Sequence, residues 1–155
     1  MRTIAGLAFA MLLAIPVGLY AVPSWSQAYM LDEMVVDYRQ LIMKSQDAHA
    51  AAIGTILTGT VPNDNIASHF EALLITTRQT RVTFKPEALG GDALPSIWEE
   101  GGWEDFSAKL DLAEKNIIIA IEAIKKNGVG AAGDVTLAAL RCKDCHETYR
   151  KKSSP

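Results

Sequence analysis

The sequence predicts an all-α protein, an antiparallel four-helix bundle preceded by an N-terminal signal segment. Apolar residues recur at intervals of three and four in four separate segments, as a buried helix face requires. Glycine or proline residues separate these segments, as expected at helix ends. Of the 155 residues, 49% are hydrophobic but only 7% aromatic, and the dominance of Ala, Leu and Ile favours helix. A chain of this length suits one domain with a sizeable core.

Residues 4–22 are almost wholly apolar and follow a single arginine, which is the layout of a secretory signal peptide. Small residues place cleavage after Ser26 or Ala28, so we expect a signal peptide at 1–28 and a bundle at 29–155. An uncleaved membrane anchor is the alternative, because about 19 apolar residues can span a bilayer. A proline and a glycine inside the run argue against it. We expect an exported, periplasmic protein, with a membrane-anchored form only if the leader stays attached.

The first predicted helix runs from about residue 29 to residue 57 and is closed by Gly59 and Pro62. Its predicted inward face, taken from the apolar and small residues at helical spacing, consists of Met34, Tyr38, Leu41, Ser45, Ala48, Ala52 and Ile56.

The second predicted helix begins after a cap at Asn63 or Asp64 and stops before Pro86. Its predicted inward face consists of Ile66, Phe70, Leu73 and Thr77. The connection that follows, residues 86–102, contains two glycine pairs and a proline. Because it also carries Trp98 and other large apolar residues, we expect it to pack against the bundle rather than to project from it.

The third and fourth helices carry the clearest and the most consequential patterns. The third has a near-heptad inward face, Trp103, Phe106, Leu110, Ala113, Ile117, Ile121 and Ile124, and should end at Gly128. The fourth should begin between Val129 and Asp134 and continue to Tyr149 without a break. Its predicted inward positions are Val135, Ala138, Cys142, Cys145 and Tyr149, which would turn both cysteines into the bundle.

Both cysteines of the sequence lie in the pattern Cys142-x-x-Cys145-His146, which is typical of a c-type haem attachment site. Each thiol can add to one haem vinyl group to form a thioether, and the adjacent imidazole can bind the iron. The sequence therefore predicts one covalently attached haem c per chain, with His146 as an iron ligand. Haem is attached to this motif outside the bacterial cytoplasm, so the motif and the predicted leader support each other.

Two other uses of these cysteines are weaker. A redox C-x-x-C motif would normally lie near a βαβ pattern, and no strand is predicted around this one. A structural zinc site needs four ligands, whereas this motif supplies three and no second cysteine pair exists.

The chain resembles the class II c-type cytochromes, the cytochrome c′ family, over nearly all of its mature length. The residues that carry the likeness are Tyr38-Arg39-Gln40, Gly91-Asp92-Ala93 with Pro95, Ile97 and Trp98, and Cys142 to His146 followed by Tyr149-Arg150. Most cytochromes c carry C-x-x-C-H near the N-terminus, so a copy on the last of four helices is the more specific feature. The resemblance implies a haem buried in the bundle, with His146 as the proximal ligand and the first helix on the distal side.

Met43 decides what the resemblance implies about function. High-spin members of the family carry an apolar residue such as Leu or Phe four places after the Arg of the Tyr-Arg-Gln motif, over an empty distal side. Here that place is Met43, and a low-spin branch has Met there as the second iron ligand. Methionine sulfur suits haem iron opposite His. A buried Met is, however, also a common core filler, and Met34 lies on the same helix.

Three further residues are candidate haem-edge contacts. Arg39 precedes Met43 by one turn and could pair with a haem propionate, or simply be a solvated helix charge. Gln40 could hydrogen-bond near the haem edge or face water. Arg150 could shield the proximal side, although a basic last turn also complements a helix dipole. His49 and His69 are expected to be surface residues or to have their hydrogen bonds satisfied.

The expected function is electron transport through a six-coordinate, low-spin haem with His146 and Met43 as axial ligands. The alternative is a high-spin protein that binds nitric oxide or carbon monoxide at a vacant distal site, with Met43 as a gate. A non-redox, membrane-tethered helper is a third reading if the leader is uncleaved. The sequence assembles no catalytic nucleophile and base, so no enzymatic activity is expected.

The expected partners follow from charge and from the family. The net charge is −3 and no basic stripe is present, which argues against a nucleic-acid partner. The redox partner is not identified by the sequence. The resemblance implies a homodimer formed through the first two helices.

Overall fold

The computed structural model describes residues 24–152, and helices account for most of that range. They are α1 (Ser24–Leu57), α2 (Ile66–Phe84), α3 (Gly102–Asn127), α4 (Ala132–Ala139) and α5 (Cys142–Tyr149). Helices α4 and α5 together take the place of the fourth helix, so the predicted four-helix bundle is confirmed. Residues 1–23 of the predicted leader lie outside the described residues. Nowhere between residues 24 and 152 does a helix combine the length and apolar character that a membrane span needs.

Helices α2 and α3 bury the predicted faces. Ile66, Phe70, Leu73 and Thr77 are buried on α2. On α3 the predicted Phe106, Leu110, Ile117, Ile121 and Ile124 are buried, whereas Trp103 and Ala113 are partly buried. Helix α3 ends as expected, with two lysines in its last turn. There Gly128 adopts φ 75° and donates its N–H to Ile124 O, a conformation that suits glycine.

The predicted inward face of α1 is wrong in its N-terminal half and right at Ile56, which is buried. Met34 and Leu41 are 66% and 60% exposed, and Tyr38 and Ala48 are also exposed. The face that packs against the bundle is formed by Arg39, Ile42, Ile53 and Ile56, which are all buried, and of these four only Ile56 was predicted. The apolar pattern selected the wrong stripe because α1 carries apolar residues on two sides. The true inward face includes an arginine, which hydropathy assigns to solvent.

The fourth helix is broken, and its predicted inward set is only partly right. Leu140 and Arg141 leave the helical region with ψ 41° each, so α4 ends at Ala139 and α5 begins at Cys142. The buried residues of α4 are Ala132, Thr136 and Ala139, whereas the predicted Ala138 is exposed. Neither glycine nor proline stands at the break, so no local sequence signal marks it.

The core forms two clusters of buried residues. One contains Ile53, Ile56, Ile66, Phe70, Leu73, Ile117, Ala120, Ile121, Ile124, Ala132 and Ala139. The other contains Phe84, Ile97, Phe106, Leu110 and Tyr149, and the partly buried Trp98 and Trp103 pack against it as predicted. Members of both clusters line a single cavity, so the bundle is packed at both ends and open between them.

The connection between α2 and α3 is fastened to the C-terminal end of α5. Leu94 donates its backbone N–H to Tyr149 O at 2.9 Å, and Lys151 donates its N–H to Asp92 O at 2.7 Å. The same connection approaches α1 closely at Gly91, where a Cβ would lie 3.1 Å from Val36 Cγ1. With φ 56° as well, this position favours glycine on two grounds. The connection thereby holds α1 and α5 on either side of the cavity.

Candidate haem site

All seven residues predicted from the sequence for haem binding line one cavity of about 620 Å³, within the range of small-molecule and cofactor pockets. They come from two elements that are distant in sequence. Helix α1 supplies Arg39, Gln40 and Met43, whereas α5 and the residue after it supply Cys142, Cys145, His146 and Arg150.

Helix α5 presents both thiols and the imidazole to the cavity. Cys142 and Cys145 are three residues apart, so they share a face of the helix, and His146 is one turn beyond Cys142. Both cysteines are free. Burial raises the pKa of each thiol, and the Asp47 carboxylate adds to the effect at Cys142. The two groups are therefore held as protonated thiols, the form that adds across a vinyl group.

The surroundings of His146 favour the neutral form of its imidazole. Burial lowers the pKa of its imidazole, and the positive charge of Arg150 lowers it further. A neutral imidazole offers a nitrogen lone pair, which is what a metal ion requires. Arg150 is itself exposed and lies 3.9 Å from Asp92 of the α2–α3 connection.

Met43 lines the cavity from α1. Its side chain is partly buried and packs against the second core cluster, which includes Phe84 and Phe106. Met34, the other methionine considered on this helix, is 66% exposed and does not line the cavity. The structure therefore shows that Met43, and not Met34, faces the cavity, a choice that helix spacing alone did not decide.

Arg39 is buried, with 3% of its surface exposed, so the solvated alternative is wrong. Its guanidinium donates hydrogen bonds to Thr83 O at 2.9 Å, to Ala88 O at 2.6 Å and to Pro86 O. Burial lowers its pKa, and the charge of Asp32 opposes that shift. Three of its five N–H groups thus donate to backbone carbonyls in the last turn of α2 and just after it.

Several residues of the site were not predicted. Lys44, Asp47, Lys109 and Arg141 also line the cavity, and as isolated charges they carried no recognisable signal. Tyr149 was predicted as an inward position of the fourth helix and is buried, but its hydrogen bonds were not predicted. Its hydroxyl lies 2.5 Å from Asp105 Oδ2 and 3.2 Å from Gly102 O, which ties α5 to the first turn of α3.

The residues present fit a covalently attached haem. Two protonated thiols, a neutral imidazole and a partly buried thioether surround a cavity whose remaining wall is largely apolar, with residues such as Leu73, Ile97, Leu110 and Ile117. A flat, hydrophobic macrocycle with a metal centre requires this combination of donors and apolar surface.

Comparison with known proteins gives consistent results. The family model described as cytochrome C′ matches residues 34–150. Cytochrome c′ of Alcaligenes xylosoxydans xylosoxydans is 32% identical over 126 residues, covering 77% of this chain and 95% of the relative. Cytochrome c′ of Pararhodospirillum photometricum is 30% identical over 132 residues, covering 77% and 98%.

Two solved structures of cytochrome c′ from Alcaligenes xylosoxidans have the same fold. A ferrous variant with bound nitric oxide superimposes with a TM-score of 0.71 at 26% identity, covering 79% of this chain and 97% of that one. A variant with bound carbon monoxide gives a TM-score of 0.71 at 27% identity, covering 78% and 97%.

These complexes overturn the expected low-spin electron carrier. A haem iron with both axial positions filled by protein side chains has none free for a diatomic ligand, yet the similar proteins carry nitric oxide or carbon monoxide. The expectation of His146 and Met43 together on the iron of a low-spin, electron-carrying haem was therefore wrong. It relied on the chemistry of one side chain, and a methionine at that place serves equally as an apolar filler.

Proposed function

Because this chain belongs to the cytochrome c′ family, we propose that it binds nitric oxide or carbon monoxide at a vacant distal position of its haem, with Met43 as a steric gate. The protein is a class II c-type cytochrome and carries one covalently bound haem c. When bound, the haem supplies an iron ion with one coordination position open to a small diatomic ligand. The proposed role is ligand binding rather than enzymatic turnover.

In the proposed arrangement, α5 holds the cofactor. Cys142 and Cys145 form the two thioether links, and His146 is the proximal iron ligand. Support comes from their shared helix face, from the raised pKa of both thiols and from the lowered pKa of the imidazole. The hydrogen bond from Tyr149 to Asp105 fixes α5 against α3, so the imidazole keeps its position when a distal ligand binds or leaves.

The observation that carries the proposal is the combination of gas-bound relatives with the place of Met43 in this cavity. Met43 contacts an apolar cluster that contains Phe84 and Ile97, so an incoming ligand meets hydrocarbon and sulfur rather than water. Its unbranched side chain has three rotatable bonds and can swing aside without moving the helix. Access is then controlled by the size of the residue at position 43.

We propose that polar residues around the cavity contact the haem edge. Gln40 and Arg150 are both exposed and both line it, so they can hydrogen-bond or pair with propionates. Arg39 has two N–H groups beyond those used on backbone carbonyls, and we propose that these provide its haem-edge contact.

We further propose that the protein is exported to the periplasm, with residues 1–28 as the leader and cleavage after Ser26 or Ala28. Haem attachment to a C-x-x-C-H motif outside the cytoplasm supports this location. A membrane-anchored form is proposed only for chains that keep the leader.

A homodimer through α1 and α2 is also proposed. Exposed apolar residues form a stripe at three-and-four spacing on α1, namely Leu31, Met34, Tyr38 and Leu41. Helix α2 adds Ile75 and Val82, 56% and 70% exposed. The two stripes lie on adjoining helices, because Gln46 and Arg39 of α1 hydrogen-bond to Thr80 and Thr83 of α2. A second copy of the chain would cover this surface.

The gate is tested by rapid mixing of the reduced protein with carbon monoxide. We expect the wild type to bind carbon monoxide, and Met43→Ala to bind it roughly tenfold faster, equivalent to about 1.4 kcal/mol in the barrier. Leu137→Ala is the control, since it truncates an exposed side chain of α4 that lies outside the cavity and should leave the rate unchanged. Failure of the reduced wild type to bind carbon monoxide, or equal rates in Met43→Ala and wild type, would overturn the proposal.

A further inference from the structure

We propose that His49 and His69 form a binding site for a divalent first-row transition-metal ion, Cu²⁺ being bound most tightly, that links α1 to α2. The two residues are 20 positions apart in sequence, yet their Nδ1 atoms lie 3.1 Å from each other. Neither side chain lines the haem cavity, so this is a second site.

The separation of the two nitrogens suits a shared metal ion. With a metal–nitrogen bond of about 2.0–2.1 Å, two ligands of a tetrahedral ion lie about 3.3 Å apart, and adjacent ligands of a square-planar ion about 2.9 Å. The observed 3.1 Å lies between these values. The ring centroids are 5.4 Å apart and the planes are tilted by 53°, so the rings converge through their nitrogens rather than stack.

Without metal, the same geometry accommodates a hydrogen bond between two neutral rings, in which one Nδ1 carries the proton and the other accepts it. Metal binding needs both Nδ1 lone pairs, so the ring that donates must move its proton from Nδ1 to Nε2. This tautomer shift changes neither charge nor proton count, and a neutral imidazole is the form that ligates metals.

Asn65 supports that tautomer at His69. Asn65 Nδ2 lies 3.5 Å from His69 Nε2, and the amide oxygen takes the place of this nitrogen when the group turns over by 180°. With the oxygen toward the ring, Asn65 accepts a hydrogen bond from Nε2–H and leaves Nδ1 free. Metal-bound histidines commonly donate their second N–H in this way.

Access and charge also favour a cation. Both histidines are half-buried, and His69 borders a surface groove that is also lined by Asp64 and Asn65. No group of three or more His, Cys, Asp or Glu side chains suited to a metal occurs in the described part of the chain, and the proposed site takes its remaining ligands from solvent. With two imidazoles as the protein ligands, the Irving–Williams order places Cu²⁺ above Zn²⁺ and Ni²⁺.

The test is titration of ferric, haem-loaded protein with CuCl₂ after chelator treatment, in protein made without a histidine tag. Calorimetry should show a Cu²⁺ ion whose affinity falls at least tenfold in His49→Ala and in His69→Ala. Electron paramagnetic resonance should show nitrogen coupling from two imidazoles. Asn65→Ala should weaken binding less than either histidine variant.

Thermal unfolding separates a metal link from mere damage to the helix pair. Added Cu²⁺ should raise the Tm of the wild type and not that of either histidine variant, because a ligand that binds only the folded state stabilises it. Absence of Cu²⁺ binding by the wild type would overturn the proposal. So would an affinity that neither histidine substitution changes, since the ion would then be held elsewhere, for example at the N-terminal amine.

Discussion

The guanidinium carbon of Arg39 lies 4.8 Å from the ring centroid of Trp98, 59 residues later in the chain. Phe84 lies at the same 4.8 Å distance, and Trp98 Nε1–H donates to Phe84 O at 2.8 Å. One buried cation is therefore held by two aromatic rings and by three backbone carbonyls. The end of α2 and the connection to α3 are organised around this side chain of α1, next to the haem cavity.

Replacement of Arg39 by lysine should destabilise the protein by roughly 3 kcal/mol. Lysine keeps the charge but cannot reach three carbonyls in a plane, and a lost charged hydrogen bond and a weakened cation–π contact cost about that much. Urea unfolding of the haem-loaded protein measures the loss. The matched control is Arg78→Lys, at an ion pair with Glu114 in which the arginine is 56% exposed, where less than about 1 kcal/mol is expected. Similar losses in both variants would contradict this role of Arg39.

The bond between Tyr149 and Asp105 should make stability depend on pH. It lowers the pKa of the Asp105 carboxyl and, together with burial, raises the pKa of Tyr149 to about 12. A carboxyl with a depressed folded pKa contributes stability above its unfolded pKa and loses it as the pH falls through the folded value. A tyrosine with a raised pKa contributes fully below its unfolded value of 10 and loses the contribution near 12.

Tyr149→Phe should therefore lower the urea midpoint at neutral pH. The difference from wild type should shrink as the pH falls through the folded pKa of Asp105, because the protonated carboxyl no longer prefers the folded state. Asp105→Asn removes the charge and should abolish this pH dependence. A difference between Tyr149→Phe and wild type that is constant from neutral to acid pH would show that the bond to the carboxylate does not stabilise the fold.

The exposed stripe of α1 should control association. Leu41→Glu places a charge among the apolar residues proposed to meet a second copy, so sedimentation of the haem-loaded protein should show a dimer for the wild type and a monomer for the variant. Leu137, 81% exposed on α4, provides the control, because Leu137→Glu should leave the dimer intact. A monomeric wild type, or dissociation in both variants, would be inconsistent with an interface on α1 and α2.

The parts of the fold that sequence predicted well are those where one apolar stripe faces one set of partners. On α3, the apolar residues at heptad-like spacing from Phe106 to Ile124 lie on one face, and most of that face is buried. On α1, one stripe faces the core and another faces outward. The inward one includes Arg39, which is buried because acceptors 44 to 49 residues away satisfy it. Local hydropathy carries no information about such distant partners.

In the candidate site, too, the residues that are close in sequence were predicted well and the contacts between distant residues were not. The thiols and imidazole of α5 form a contiguous motif, so their joint presence at one cavity could be predicted from spacing. The break at Leu140 could not, because no residue there disfavours helix. The short distance between His49 and His69 depends on how α1 packs against α2. It could not be predicted from the sequence, because the two residues are 20 positions apart and belong to no recognisable motif. The coordination of Met43 was predicted wrongly, since residue type fixes which ligand chemistry is available but not whether the iron uses it.

The spin state of the ferric protein tests the central claim most directly. The visible absorption and electron paramagnetic resonance spectra of the haem-loaded protein at neutral pH report whether a protein side chain fills the distal position. A vacant site gated by Met43 predicts a high-spin ferric spectrum that Met43→Ala leaves high-spin. A low-spin spectrum with the red charge-transfer band of an iron–methionine bond, lost in Met43→Ala, would contradict the account.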